Sequence, residues 1–396
     1  MANDELKFDS AFEGGNGRFF SLAGENSYTF ELLPEGEAGV RQWFYFAIEG
    51  AQGRTLTLQL LETQATSVPS HFDRCRPVVS NDGGKTWSRI DKPGLHDRER
   101  NVFSFEVKVD SPRFLVAYHY PYTYTEACRK IATWSTHRNV TTLSIGRSVD
   151  GRDIELLRVT DGSATGVGKH GAWICARQHS AESPASFMLE GFMDFVLSAD
   201  NRAEVLRLHS VLSVVPMINP DGVFRGHYRL NSKGVNLNRV WHSPSAETSP
   251  EIQAVTQAIA TSTRYGNPFD VFIDFHADSS AHEHYAFHSG HGLEPENYKR
   301  RGKYYGDLTR FLANVARHSP DFLPGKGAVW HEADGISYHH IRGQYGVLAM
   351  IPEGGYGDVT HGPAADTWLD PDRHRAVGRA YAIALWEHWF GGKAAD

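Results

Sequence analysis

The chain has 396 residues, 40% of them hydrophobic and 22% charged. That is long enough for two domains with ordinary cores, and it excludes a disordered chain. With 40 Lys and Arg against 47 Asp and Glu the formal charge is -7, which excludes a general pull toward nucleic acid or acidic membrane.

The chain opens MANDELKFDS, with neither a basic nor an apolar region, so no signal peptide is expected. No run approaches the roughly 20 apolar residues of a membrane helix. Cys75, Cys128 and Cys175 are odd in number and form no CxxC motif, which suits a reducing compartment. A cytoplasmic protein with no nucleic-acid or membrane partner is expected, and the sequence specifies no oligomeric state.

Residues 1–125 read as short strands. RQWFYFAIEG, RTLTLQLLE and NVFSFEVKV are β-rich and bounded by Gly, Asp, Pro and Ser, which predicts an N-terminal antiparallel β-sandwich domain. Ser80 to Trp87 matches the Asp-box pattern S-x-D-x-G-x-T-W, a hairpin with Asp-Gly at its tip. Alone, that motif is structural.

Residues 126–396 change character. The runs GAWICAR, VLSVVPMI, DVFIDFH and YGVLAMIPE are nearly continuous in apolar residues, as in strands covered on both faces. Helical patterns lie between them. Met188, Phe192, Phe195 and Val196 recur at helical spacing after Ser183-Pro184, read as N-cap and first helical residue. Thr248-Ser249-Pro250-Glu251 opens another helix, and AVGRAYAIALWEHWF forms a C-terminal one. The alternation predicts an α/β domain with a largely parallel or mixed sheet.

The four apolar strands end at chemically able residues. They run into Gln178-His179-Ser180-Ala181-Glu182, Asn219-Pro220-Asp221-Gly222, Asp274-Phe275-His276 and Pro352-Glu353-Gly354-Gly355. Ligands of open α/β sheets bind outside the carboxyl ends of the strands. Catalytic zinc takes three His or carboxylate ligands and keeps a position for water. His179, Glu182 and His276 supply such a set, and Glu353 is the candidate base. HxxE alone is a weak motif, and a single histidine after a strand is more often a core residue; the combination carries the signal. His282, His284 and His288 form a denser cluster that reads as structural or solvated.

Further on come Gly226-His227-Tyr228-Arg229 and Asn236-Leu237-Asn238-Arg239. A planar guanidinium with an amide beside it suits a carboxylate, such as the free C-terminus of a peptide. A separate arginine near the metal can polarise the scissile carbonyl.

At these residues the sequence resembles the zinc carboxypeptidase family, and more narrowly its cytosolic carboxypeptidase branch. The aromatic run Tyr118 to Tyr124 is similar to that branch's YPYTY signature. Ala176 to Ser183 is similar to its AR-x-H-P-G-E-T segment, Pro216 to Val223 to PMLNPDGV, and Asn236 to Trp241 to DLNR-x-W. The resemblance implies a mixed eight-stranded-type sheet flanked by helices behind a β domain, one zinc ion per chain, and peptide or protein C-termini as substrate. It implies zinc ligation by His179, Glu182 and His276. It makes Arg229 the arginine at the scissile carbonyl, Asn238 and Arg239 the binders of the terminal carboxylate, and Glu353 the general base. Ser180-Ala181 replaces the usual Pro-Gly, Asn236 replaces an acidic residue, and Glu353 lies in a Pro-Glu-Gly-Gly context. These departures point to a compact, bacterial-type member.

In this family the specificity pocket involves residues upstream of the base, here Asp334 to Arg342. His339, His340 and Arg342 offer positive charge for an acidic side chain, so a preference for C-terminal glutamate is expected. Two other readings fit less of the sequence. One is an aspartoacylase-like or succinylglutamate-desuccinylase-like amidohydrolase acting on N-acyl amino acids. The other is a non-catalytic metal-containing binding protein.

Overall fold

Alternation of buried and exposed residues runs through the first strands. In Thr55–Leu61, Leu56, Leu58 and Leu60 face inward, and in Val102–Lys108, Phe103, Phe105 and Val107 do so. Each strand therefore has one apolar face to bury, and two sheets facing one another satisfy both. The computed structural model describes residues 6–163, 168–281, 283–287, 295–324, 335–357 and 367–391; for 287 and 295–305 it describes the backbone alone.

Two compact units are present, Met1–Tyr124 with Asp221–Val235, and Thr125–Pro220 with Asn236–Asp396. Among the described residues the first holds two five-stranded sheets. One is antiparallel, in the order Lys7–Asp9, Tyr45–Glu49, Arg113–Ala117, Val78–Ser80, Ser88–Arg89. The other is antiparallel except where Ser27–Glu31 runs parallel to Thr55–Leu61. Aromatic rings fill the space between them, with Phe44 stacked on Phe105 at 5.9 Å and Phe30 against Phe46 at 5.1 Å. The Asp-box is a self-contained hairpin. Backbone amides of Thr86 and Lys85 donate to Asp82, at 2.9 and 3.0 Å, and hold its carboxyl down to about 2. The segment Asp221–Val235, remote in sequence, packs within this unit.

The second unit is built on a mixed sheet with seven strands among the described residues. They are β1 (Val140–Arg147), β2 (Asp153–Val159), β3 (His170–Ala176), β4 (Ser210–Val215), β5 (Val271–Asp278), β6 (Tyr285–Phe287) and β7 (Leu348–Gly355). Their order is β1-β2-β4-β3-β5-β7-β6, with β4, β3, β5 and β7 parallel. These four strands are the apolar runs of the sequence, buried along their length because helices cover them.

Helix α1 (Tyr124–Ser135) leads into this unit, followed by α2 (Ser183–Val196), α3 (Asn201–His209), α4 (Pro250–Arg264), α5 (Pro295–His318), α6 (Ser337–Tyr345) and α7 (Pro371–Phe390). Helix α2 is apolar on almost every side and buried on every side except at Asp194, as expected of a helix inside a core. Its one buried carboxylate, Glu190, is paired with Lys130 at 3.3 Å and Arg375 at 2.7 Å. Close packing of α2 on α7 needs Gly378, where a Cβ would lie 1.7 Å from the Met188 carbonyl oxygen. This rigid layer fixes the start of α2, and with it the turn that precedes the helix.

Candidate metal centre

Strand β3 ends at Ala176, and the chain turns sharply through Arg177, whose φ of 61° is left-handed. The turn is held by Asn219, whose Nδ2 donates to the Gln178 carbonyl at 3.1 Å and to Ser180 Oγ at 3.0 Å. It carries His179 and Glu182 into the start of α2. Ser183, expected as the N-cap, is the first helical residue, and Glu182 is the cap. Its carboxylate caps nothing, because other groups hold it.

Those groups are two imidazoles and one amide. Glu182 Oε1 lies 2.7 Å from His179 Nδ1, and Oε2 lies 2.9 Å from His276 Nδ1 and 3.0 Å from the Ala277 amide nitrogen, which donates to it. The two Nδ1 atoms are 3.2 Å apart. One ligand atom from each residue falls within 4.8 Å of the others, and all three side chains are buried. Two ligands about 2.05 Å from a tetrahedral ion lie about 3.3 Å apart, so the Nδ1 pair is spaced for one zinc. Three ligands also leave the open fourth position of a catalytic site.

Charge agrees with shape. Burial opposes ionisation of Glu182, yet the imidazoles of His179 and His276 hold its carboxyl well below the usual carboxylate range. Burial likewise opposes charge on His276, yet Asp274 and Glu182 hold its imidazole well above the usual value. The cluster draws positive charge to its centre.

The outward ring nitrogens are also held. His179 Nε2 lies 3.0 Å from Asn236 Oδ1, and His276 Nε2 lies 3.3 Å from Asp274 Oδ2. A proton on each Nε2, facing that oxygen, would turn the Nδ1 lone pairs inward toward a bound cation. Asp274 is fully buried and also accepts from Ser337 Oγ at 2.6 Å and from Gln178 Nε2. Gln178 Oε1 in turn accepts from Trp241 Nε1 at 2.8 Å. Asp274 and Ser337 are absent from the site residues read from sequence. Asp274 had a signal: two residues before His276 on one strand, it shares that histidine's face. Ser337 comes from a helix remote in the chain and had none.

Glu353 is brought in by strand register. It pairs with His276 across β5 and β7 and with Tyr285 across β6. Directly paired residues on neighbouring strands, about 4.8 Å apart, project to the same face. Glu353 is 8% exposed, and Tyr285 donates to Asp278 at 2.6 Å.

Asn238 is buried, and its Oδ1 accepts from the Ser337 backbone amide at 2.9 Å. A backbone amide only donates, so the Asn238 oxygen is committed and Nδ2 is the group left to meet an anion. Arg239 is exposed and donates to the Asn238 carbonyl at 2.7 Å. Arg229 is half-buried within the first unit. His339, His340 and Arg342 are half-buried on α6, while Asp334 lies outside the described residues. So do His282 and His288; His284 is buried, with Nε2 2.8 Å from His374 Nδ1.

Residues 125–348 match the zinc carboxypeptidase family, and residues 8–119 match the cytosolic carboxypeptidase N-terminal domain. The chain belongs to the zinc carboxypeptidase family. Members are peptide hydrolases with one catalytic zinc. A metallocarboxypeptidase from Burkholderia cenocepacia, of known structure, is 26% identical, with a TM-score of 0.88 over 98% of this chain and 100% of that one. A Pseudomonas aeruginosa metallocarboxypeptidase, solved in complex with (2-guanidinoethylmercapto)succinic acid, is 26% identical, with a TM-score of 0.83 over 96% of this chain and 98% of that one. Mouse cytosolic carboxypeptidase 6 is 30% identical over 69% of this chain, which spans 54% of that relative's length. No described helix is long and apolar enough to cross a membrane.

Proposed function

We propose that this carboxypeptidase removes single C-terminal amino acids from peptides or proteins, with His179, Glu182 and His276 as its zinc ligands. The observation that carries the reading is the convergence of two Nδ1 atoms, 3.2 Å apart, and one carboxylate in a buried cluster of side chains. When bound, zinc supplies Lewis acidity to a water and to the scissile carbonyl.

The remaining work falls to the chain's own residues. Glu353 takes a proton from the attacking water and returns it to the leaving amine as the C–N bond breaks. The Arg229 guanidinium donates to the oxygen that gains charge. Asn238 Nδ2 and the Arg239 guanidinium bind the terminal carboxylate and align the last peptide bond. Asp274 and Asn236 orient the ligand imidazoles from behind.

The substrate's last side chain is an acid, by this proposal, with glutamate preferred. His339, His340 and Arg342 lie on the helix whose first residue, Ser337, is bonded to Asn238. That bond supports placing the helix beside the terminal residue. A cytoplasmic location is supported by the names of the cytosolic relatives and by three cysteines that form no disulfide. Recovery of the native protein from a secreted fraction would contradict it.

Mass spectrometry of the zinc-loaded protein with peptides of varied C-terminal residue tests the reading. Loss of one residue per turnover, fastest from glutamate, is the expected outcome. Release of basic or aromatic residues without glutamate would overturn the preference. Cleavage of N-acyl amino acids with no peptide trimmed would overturn the peptidase.

A further inference from the structure

The strip that carries Arg229 is held at more points than a surface loop needs. Its flanks, Asn219 and Asn236, are bonded to the turn bearing His179. Its interior, Asp221–Val235, packs within the β unit. There the Glu35 carboxylate collects three consecutive backbone amides. Oε1 accepts from Tyr228, and Oε2 accepts from Arg229 at 3.0 Å and from Leu230 at 2.9 Å.

Glu35 is itself fixed, with 2% of its surface exposed and its backbone paired in both directions with Val40. Asn16 Nδ2 donates to the Gly226 carbonyl at 2.9 Å, and the Gly14 amide donates to the Phe224 carbonyl at 2.8 Å. Gly226 has φ +68°, and a Cβ there would lie 2.4 Å from the Gly15 carbonyl oxygen, so only glycine allows this approach. Tyr228 and Leu230 are buried on either side, and the Arg229 side chain between them is the one that keeps access to solvent.

A carboxylate buried under three amides is a costly way to close a loop. Burial pushes the Glu35 carboxyl up despite His227 and the amides. An apolar contact would anchor the strip more cheaply. What the carboxylate adds is direction: three amides aimed at one group fix the peptide planes on both sides of Arg229.

We propose that Glu35 is a positioning residue for catalysis, fixing the backbone from which Arg229 acts. This rests on the role given to Arg229 above.

Glu35→Gln tests it. The amide keeps the shape, but whichever way it turns, a backbone amide of the strip faces an NH2 group. The expected result is a fall in kcat of about tenfold to hundredfold, as for a misplaced group of the active site, with KM and zinc content unchanged. In an Arg229→Ala background the same substitution costs less than about twofold more, because both act through one group. Full activity of Glu35→Gln beside an impaired Arg229→Ala overturns the clamp alone, as does a loss that multiplies in both backgrounds. Undiminished kcat in Arg229→Ala overturns the arginine's role and the clamp with it. If Glu35→Gln does not fold, Asn16→Ala, which frees the Gly226 carbonyl of the same strip, gives the same two-background comparison.

Discussion

Two pairs of buried histidines lie in the second unit, and they behave in opposite ways. His179 and His276 have ring centroids 4.7 Å apart; His284 and His374 have theirs 5.0 Å apart, at a nearly identical angle. All four side chains are buried. Between the first pair sits the Glu182 carboxylate, and behind His276 sits Asp274, so that imidazole is held well above its usual value. In the second pair one ring faces the other, and burial pushes His284 down to about 4. Histidine density therefore says little about metal. Carboxylates on both nitrogens of His276 suit the cation site proposed there, whereas the His284 ring is bonded to another ring.

That contrast can be broken at several points. The largest effect is expected on the reaction, from Glu353→Gln. Its kcat should fall about a thousandfold or more, within the range for a lost general base, with zinc content unchanged. Full turnover in that variant would remove Glu353 from the mechanism. Asp274→Asn comes next. It takes the negative charge from behind His276 and should weaken zinc binding about 10- to 100-fold, read by competition with a chromogenic chelator. An unchanged affinity would make Asp274 a structural residue only.

A smaller effect is expected from Asn238→Ala, which removes one donor to a charged carboxylate and should raise KM about tenfold. An unchanged KM for every peptide would place the terminal carboxylate elsewhere. The smallest effect concerns stability and belongs to the second pair. The His284 imidazole titrates at about 4 in the folded chain, against an ordinary value of 6.5. Between those values the unfolded state binds more protons, so stability is full above 6.5 and is lost as pH falls toward 4. From pH 7 to pH 6 the loss is under about 1 kcal/mol. Denaturant titrations should show this slope in the native protein and a shallower one in His284→Asn. Equal slopes would mean that His284 is not buried neutral.

Legibility in the sequence followed the range of the forces involved. The four central strands were readable because burial on both faces leaves a run of apolar residues. The cluster of His179, Glu182 and His276 was readable because topology puts strand ends together. The cap of α2 was misplaced by one residue, from Ser183 to Glu182, because local propensity cannot know that the Glu182 carboxylate is engaged by His276 from a remote strand. Ser337 reaches Asp274 across 63 residues, and Glu35 reaches the Arg229 strip across 193 to 195. Such partners are set by tertiary packing and leave no periodic trace. Arg229 was singled out by its resemblance to a family motif, and its seat in the β unit left no signal in the sequence.

Zinc stoichiometry, measured by elemental analysis of His276→Ala and His284→Ala beside the native chain, tests the central claim most directly. The account predicts one zinc per native chain, a large loss in His276→Ala, and full occupancy in His284→Ala. Full occupancy in His276→Ala would contradict it.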